Sequence, residues 1–315
     1  MGKQLYNILR LLRPRQWAKN FFLFAAVTFT GQLFNPDAVI PVIIGFFVFC
    51  GASSGAYIIN DVIDIKKDRL HPFKKFRPLA KGDITIEFAA ALAFIIITLS
   101  LTLALTINLT FFLLTIVYLM LQISYSTILK SIAVIDILAI AAGYILRVYG
   151  GEFASGYHIS VWLLLTTISI SLFLAIGKRR SELTLLSTVK TENIAAVRKS
   201  LSHYSDRLLD VYASVFATST FISYALFTFL ENPRGINLTF FEDVFILDSP
   251  SLFHKKWLMI TIIPVVYGLM RYLQDIYEKN EGESPEKVLF SDKPLLITIA
   301  IWGMMVIGII YFVGS

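Results

Sequence analysis

The side chains able to do chemistry gather in a few polar stretches between long apolar runs. In the first, Asn60-Asp61-Val62-Ile63-Asp64-Ile65-Lys66-Lys67-Asp68 spaces its acids three and four residues apart. A helix carried through this segment stacks Asp61, Asp64 and Asp68 on one face, with Asn60 at its edge. Carboxylates that close repel one another and need water or a cation between them. Hard oxygen donors of this kind suit Mg²⁺, which bridges readily to substrate phosphates. Just downstream, Asp68-Arg69-Leu70 and Arg77-Pro78-Leu79-Ala80-Lys81-Gly82 mix cations into the same loop, so Lys67, Arg77 and Lys81 are candidates to meet phosphate oxygens. The plain alternative is a solvated, charge-rich helix end, and the spacing alone does not decide between the two.

A second stretch, Gly177-Lys178-Arg179-Arg180-Ser181-Glu182-Leu183, is basic with one acid. By itself it reads as a positively charged membrane anchor. A third comprises Tyr125, Lys130 and Asp136, followed by Arg147. Tyr125 and Lys130, taken singly, are an interfacial aromatic and a snorkelling lysine. Asp136 and Arg147 fall in or at the edge of an apolar run, where an unpaired charge costs about 2.5–3.5 kcal/mol, so each should face a cavity or a partner. Arg147 stands about 16 Å along a helix from Asp136, which leaves its role open between cavity lining and helix packing. The histidines, His71, His158, His203 and His254, are scattered, and no Ser-His-Asp arrangement is legible.

The elements that must position these residues are membrane helices. Of 315 residues, 56% are hydrophobic and only 16% charged, against roughly 25% charged in an average soluble domain. A mean hydropathy of +0.70 makes lipid the natural solvent for most of the chain. Nine apolar stretches occur, at about 20–34, 38–60, 84–106, 109–128, 132–150, 160–177, 207–230, 257–273 and 294–313. The expected architecture is one all-α membrane domain over residues 1–315, with residues 1–17 an interfacial amphipathic helix. The first thirty residues do not read as a cleavable leader. Cys50 is the one cysteine, so no intrachain disulfide forms. The net charge of +6 comes from residues between the spans, which disfavours nucleic acid as a partner.

Lysine and arginine alternate between loops. Lys3, Arg10, Arg13, Arg15 and Lys19 precede the first span, seven basic residues from Lys66 to Lys81 follow the second, and Lys178 to Arg207 follow the sixth. The first, third and fifth loops have none; the seventh has Arg234, Lys255 and Lys256. Positive charge concentrates on the cytoplasmic side, so the N-terminus is expected inside, the C-terminus outside, and the long loops 61–83 and 177–206 together on the cytoplasmic face of a plasma membrane.

The Asn-Asp-x-x-Asp-x-x-x-Asp motif followed by Arg77-Pro78-Leu79 and Gly82 resembles the UbiA-type intramembrane transferase superfamily. Arg13-Pro14-Arg15-Gln16-Trp17-Ala18-Lys19-Asn20, the Gly177 to Leu183 run and Gly282-Glu283-Ser284-Pro285-Glu286 are similar to its decaprenyl-phosphate phosphoribosyltransferase branch. The resemblance implies a bundle of nine transmembrane helices around a cytoplasm-facing cavity. It also implies Mg²⁺ at Asn60, Asp61, Asp64 and Asp68, and catalytic participation of Tyr125, Lys130 and Asp136. Lys19, Asn20, Lys67, Arg77, Lys81, Lys178, Arg179, Arg180 and Glu182 are its expected substrate contacts. Ordinary prenyltransferases of the superfamily carry a second acidic motif in the sixth loop, where this chain has Lys178-Arg179-Arg180. One acidic and one basic pole imply two phosphorylated substrates. In the branch these are phosphoribosyl pyrophosphate and a polyprenyl phosphate, and the product leads toward arabinofuranosyl donors for envelope polysaccharides.

That reaction suits the residues. Leaving pyrophosphate develops negative charge that a cation stabilises, and a polyprenyl phosphate is already ionised, so positioning outweighs proton removal. Prenyl transfer from a prenyl diphosphate is the nearer alternative. A transporter of anionic solutes is the farther one, since its ionisable residues should gather at mid-membrane rather than at one face. Polyprenol length stays open, and a homo-oligomer is compatible with the sequence.

Overall fold

The computed structural model describes residues 2–70, 74–188, 199–231, 256–278, 288 and 291–313. His71, Lys190, Arg198, Arg234, His254, Lys255 and the Gly282 to Glu286 run therefore lie outside the described residues. Every regular element among those described is helical: α1 (Gly2–Leu12), α2 (Ala25–Phe29), α3 (Pro36–Ile63), α4 (Ile65–Leu70), α5 (Pro78–Lys81), α6 (Ile86–Ile107), α7 (Leu109–Thr127), α8 (Ile135–Ser155), α9 (Val161–Thr188), α10 (Asp206–Leu230), α11 (Ile262–Glu278) and α12 (Lys293–Gly308), with short 3₁₀ and π turns.

Five helix starts coincide with capping residues that fall between or at the ends of the apolar runs. Asn35, Thr85, Asn108, Ser205 and Asp292 each accept a hydrogen bond from a backbone N–H of the first turn they precede, satisfying donors that lipid could not. Asn108 alone separates α6 from α7, and its side-chain amide also donates to the Phe153 carbonyl on α8 at 2.7 Å.

Among the described residues eight helices are long and apolar enough to cross a membrane, and they match the second to ninth expected stretches. The count of nine regular helices is thus not reproduced. The first stretch is instead a 3₁₀ helix, Pro14–Phe24, leading into α2. It still runs antiparallel along α3: Arg13 pairs with Asp61, Trp17 with Ser54, Asn20 with Cys50, and Leu23 lies beside Gly45. The amphipathic helix is also shorter than expected, because Arg13 turns left-handed at φ 54° and Pro14 starts the 3₁₀ segment.

Gly151 lets the same segment lie directly against α8. A Cβ on Gly151 would sit 1.8 Å from the Leu23 carbonyl oxygen. Around α8 gather α3, α7, α9 and the 3₁₀ segment, while α6 packs on α3 and α10 on α9. At the far end Tyr311 donates to the Val27 carbonyl at 2.9 Å and accepts from the Leu33 amide at 2.7 Å. Residues 13 and 311 therefore mark opposite ends of the bundle, with the aspartates at the first.

Candidate active site

The acidic motif does not lie on one uninterrupted helix. Asp64 caps α3 with φ −91° and ψ 4°, and α4 resumes one residue later. Backbone bonds from Asp64 to Asn60 (2.9 Å) and from Asp68 to Asp64 (2.8 Å) carry the turn across this break, so Asp61 and Asp68 stay neighbours while Asp64 diverges. Arg77 shows this directly: its Nη1 is 3.0 Å from Asp61 Oδ1 and 2.6 Å from Asp68 Oδ2. Arg13 also donates to Asp61 Oδ1, and its guanidinium lies 5.2 Å from the Tyr57 ring centre. Asp64 pairs instead with Lys130, whose Nζ is 2.5 Å from Oδ2 and 3.5 Å from the Asn60 amide oxygen.

Burial pushes the Asp68 carboxyl above the ordinary range; Arg77 pulls it back, and the Asp61 charge pushes it up again. Burial works most strongly against the Arg13 cation, yet Asp61, Tyr57 and Asp68 together outweigh it and raise its pKa. Among the described residues no three Asp, Glu, His or Cys side chains converge into a ready-made metal cage. The donor chemistry nevertheless fits Mg²⁺, which commonly takes one or two carboxylates and leaves the rest of its shell to water and substrate phosphates. Asn60, Asp61, Asp64 and Asp68 are the residues that would hold it.

The basic run does not act as one block, because successive helical residues point about 100° apart. Arg180 turns away to Asp206 and Asp210, each at 2.8 Å. Arg179 is fully buried: Nε is 3.0 Å from Asp136, Nη2 donates to the Tyr125 hydroxyl at 2.7 Å, and Nη1 pairs with Glu182. Half-buried Lys178 interacts electrostatically with Tyr125, Lys19, Glu182 and Arg179. Lys19 itself donates to Gln16 at 2.6 Å. Lys19 and Lys178 thus lie in one electrostatic neighbourhood.

Besides Arg180, three expected contacts stand apart. Lys67 is exposed on α4, and Lys81 pairs with Asp83 at 3.1 Å at the surface. Asn20 is buried; its amide donates to Cys50 Sγ at 3.3 Å and its oxygen accepts from Arg147 Nε at 2.7 Å. Arg147 completes its contacts with the Gly143 carbonyl and the Tyr118 hydroxyl, which gives it a packing role between α7, α8 and the 3₁₀ segment. Spacing arguments missed Arg13, Tyr57, Ser200 and Tyr204. For Arg13 a signal existed, the Arg-Pro-Arg-Gln-Trp run, but its partner lies 48 residues away.

Fold and site define a multi-pass helical membrane protein with an acidic and a basic cluster at one end of its bundle. The chain belongs to the UbiA prenyltransferase family, whose model matches residues 20–292. It is 32% identical over 309 residues to a decaprenyl-phosphate phosphoribosyltransferase of Corynebacterium glutamicum, covering 97% of this chain and 87% of that one. The protein so named from Mycolicibacterium smegmatis is 32% identical over 310 residues, with 97% and 93% covered. Among solved structures, a UbiA homolog from Archaeoglobus fulgidus bound to GPP and Mg²⁺ superposes with a TM-score of 0.68 at 22% identity, over 96% of this chain and 99% of that one. The resemblance read from the motifs is borne out, and the chain is a membrane-embedded transferase by family.

Proposed function

We propose that this transferase moves 5-phosphoribose from phosphoribosyl pyrophosphate to a polyprenyl phosphate such as decaprenyl phosphate, releasing pyrophosphate, with Mg²⁺ as cofactor. The observation that carries the reading is the character of the second pole: the sixth loop opens on Lys178-Arg179-Arg180, with Lys178 beside Lys19 and Tyr125, where ordinary prenyltransferases of the superfamily carry a second acidic motif for a prenyl diphosphate. The names of the relatives at 32% identity support the same choice.

In this reading Asn60, Asp61, Asp64 and Asp68 hold the metal, and Arg77 and Lys130, already beside them, take diphosphate oxygens. Bound there, Mg²⁺ would neutralise charge on the departing pyrophosphate. Lys178, with Lys19 and Tyr125, faces the acceptor phosphate, while Arg179 and Glu182 brace Tyr125. The bond from the ribose anomeric carbon to pyrophosphate oxygen breaks and one to the acceptor's phosphate oxygen forms. No proton need move, so these residues orient and neutralise rather than act as bases. The acceptor's chain extends along the lipid-facing helices, and the aspartate end, with the N-terminus, faces the cytoplasm.

Membranes carrying the protein are the test. Pyrophosphate should appear from phosphoribosyl pyrophosphate only when polyprenyl phosphate and Mg²⁺ are both added. Release that ignores the lipid phosphate would contradict the reading.

A further inference from the structure

Asp136 lies in the first turn of α8, completely buried, where the positive end of the helix dipole favours a carboxylate. It forms an ion pair with Arg179 Nε at 3.0 Å, accepts from Tyr204 Oη at 2.7 Å and has Ser200 Oγ 3.0 Å away. These two hydroxyls also grip the turn that carries Lys130. Ser200 Oγ lies 2.9 Å from the Lys130 carbonyl, and Tyr204 Oη accepts the Val134 amide at 2.6 Å. Val134 holds φ 69° and ψ −48°, a conformation a β-branched residue keeps only when neighbours impose it. Burial raises the Tyr204 phenol above its ordinary value, so it stays protonated with its single proton committed to Asp136.

We propose that Asp136, Ser200 and Tyr204 form a positioning relay that fixes the Lys130 turn and Arg179 relative to each other, and so sets the separation of the acidic and basic poles. Asp136 itself touches no substrate. One side of the relay ends at Lys130 Nζ on Asp64, the other at Arg179 beside Tyr125. A single enclosed carboxylate is therefore common to both. A shift of the turn would move Lys130 away from Asp64 while leaving each helix intact. The kinetic consequence rests on the proposed two-substrate reaction; the mechanical one does not.

The decisive variant is Tyr204→Phe in the full chain in detergent, which removes one hydroxyl and keeps the ring. Ser200→Ala, which cuts the other arm, serves if that variant fails to fold. Hydrogen exchange over residues 128–138 should accelerate about 10-fold or more, with protection of α3 and α10 retained. In turnover, kcat should fall about 10-fold and KM for phosphoribosyl pyrophosphate should rise, because misplaced contacts cost rate steeply. Unchanged exchange in the turn overturns the relay. So does faster exchange with kcat and both KM values unaltered, the mark of a merely structural strut. If the wild-type protein turns over neither substrate, the proposed reaction fails and the exchange measurement alone decides the relay.

Discussion

Asp61, Asp64 and Asp68 are each met by a cation from another part of the chain, Arg13 and Arg77 for the first and third, Lys130 for the second. These cations retain some exposure, so losing one carboxylate leaves no sealed, unpaired charge. Asp61→Asn, Asp64→Asn and Asp68→Asn should therefore stay folded, yet each should lose about 100-fold or more of Mg²⁺-dependent turnover, measured as pyrophosphate release in detergent. Near-normal rates in all three would remove the metal assignment. Lys178 and Arg179 should separate sharply. Arg179→Ala strands the buried carboxylate of Asp136, a change that typically costs about 3–5 kcal/mol, so its melting temperature should drop. Lys178→Ala should melt near the wild type and raise KM for polyprenyl phosphate about 10-fold. Similar melting for the two would contradict the distinct environments described for them. The acids were legible from their spacing because it matches a helical period. That Asp136 and Tyr125 enclose Arg179, alongside its neighbour Glu182 on the same helix, was not, because only folding brings α7, α8 and α9 together.

The 3₁₀ segment Pro14–Phe24 supplies Trp17, Lys19 and Asn20 and follows Arg13 directly. Hydropathy located its apolar second half but not its winding, which depends on contacts with α3 and α8 rather than on its own residues. Gly151 on α8 admits it, and a single glycine carries no apolar periodicity to announce the contact. Gly151→Ala would drive a methyl group into the Leu23 backbone, atoms that cannot swing aside as a side-chain tip could. The expected result is a large loss of thermal stability in detergent, with the overpacking cost at or above the usual 1–3 kcal/mol. A variant melting like the wild type would show that α8 and the segment are not packed so closely. The later apolar stretches, by contrast, were located closely by hydropathy alone: 109–128 against the helix Leu109–Thr127, and 207–230 against Asp206–Leu230.

Across the whole molecule, pairing of residue 13 with 61 and of residue 311 with 27 and 33 sets the two ends of the described chain apart. Loop charges could orient such a bundle from the sequence but could not show that an irregular first segment still runs its length. Cysteines placed at Lys75 and Asp206 should react with an impermeant thiol reagent only from the cytoplasmic side, and one at His158, whose side chain is 88% exposed, only from outside. Cys50 is buried and should stay silent. Labelling of Lys75 and Asp206 from opposite faces would break the shared site. The most direct test of the central claim follows a label on the ribose of phosphoribosyl pyrophosphate and, separately, one on the prenyl chain of geranyl diphosphate. With polyprenyl phosphate and Mg²⁺ present, the ribose label should enter the organic-extractable lipid, and Asp64→Asn should prevent it. Entry of the prenyl label into an acceptor, with the ribose label left in water, would contradict the account.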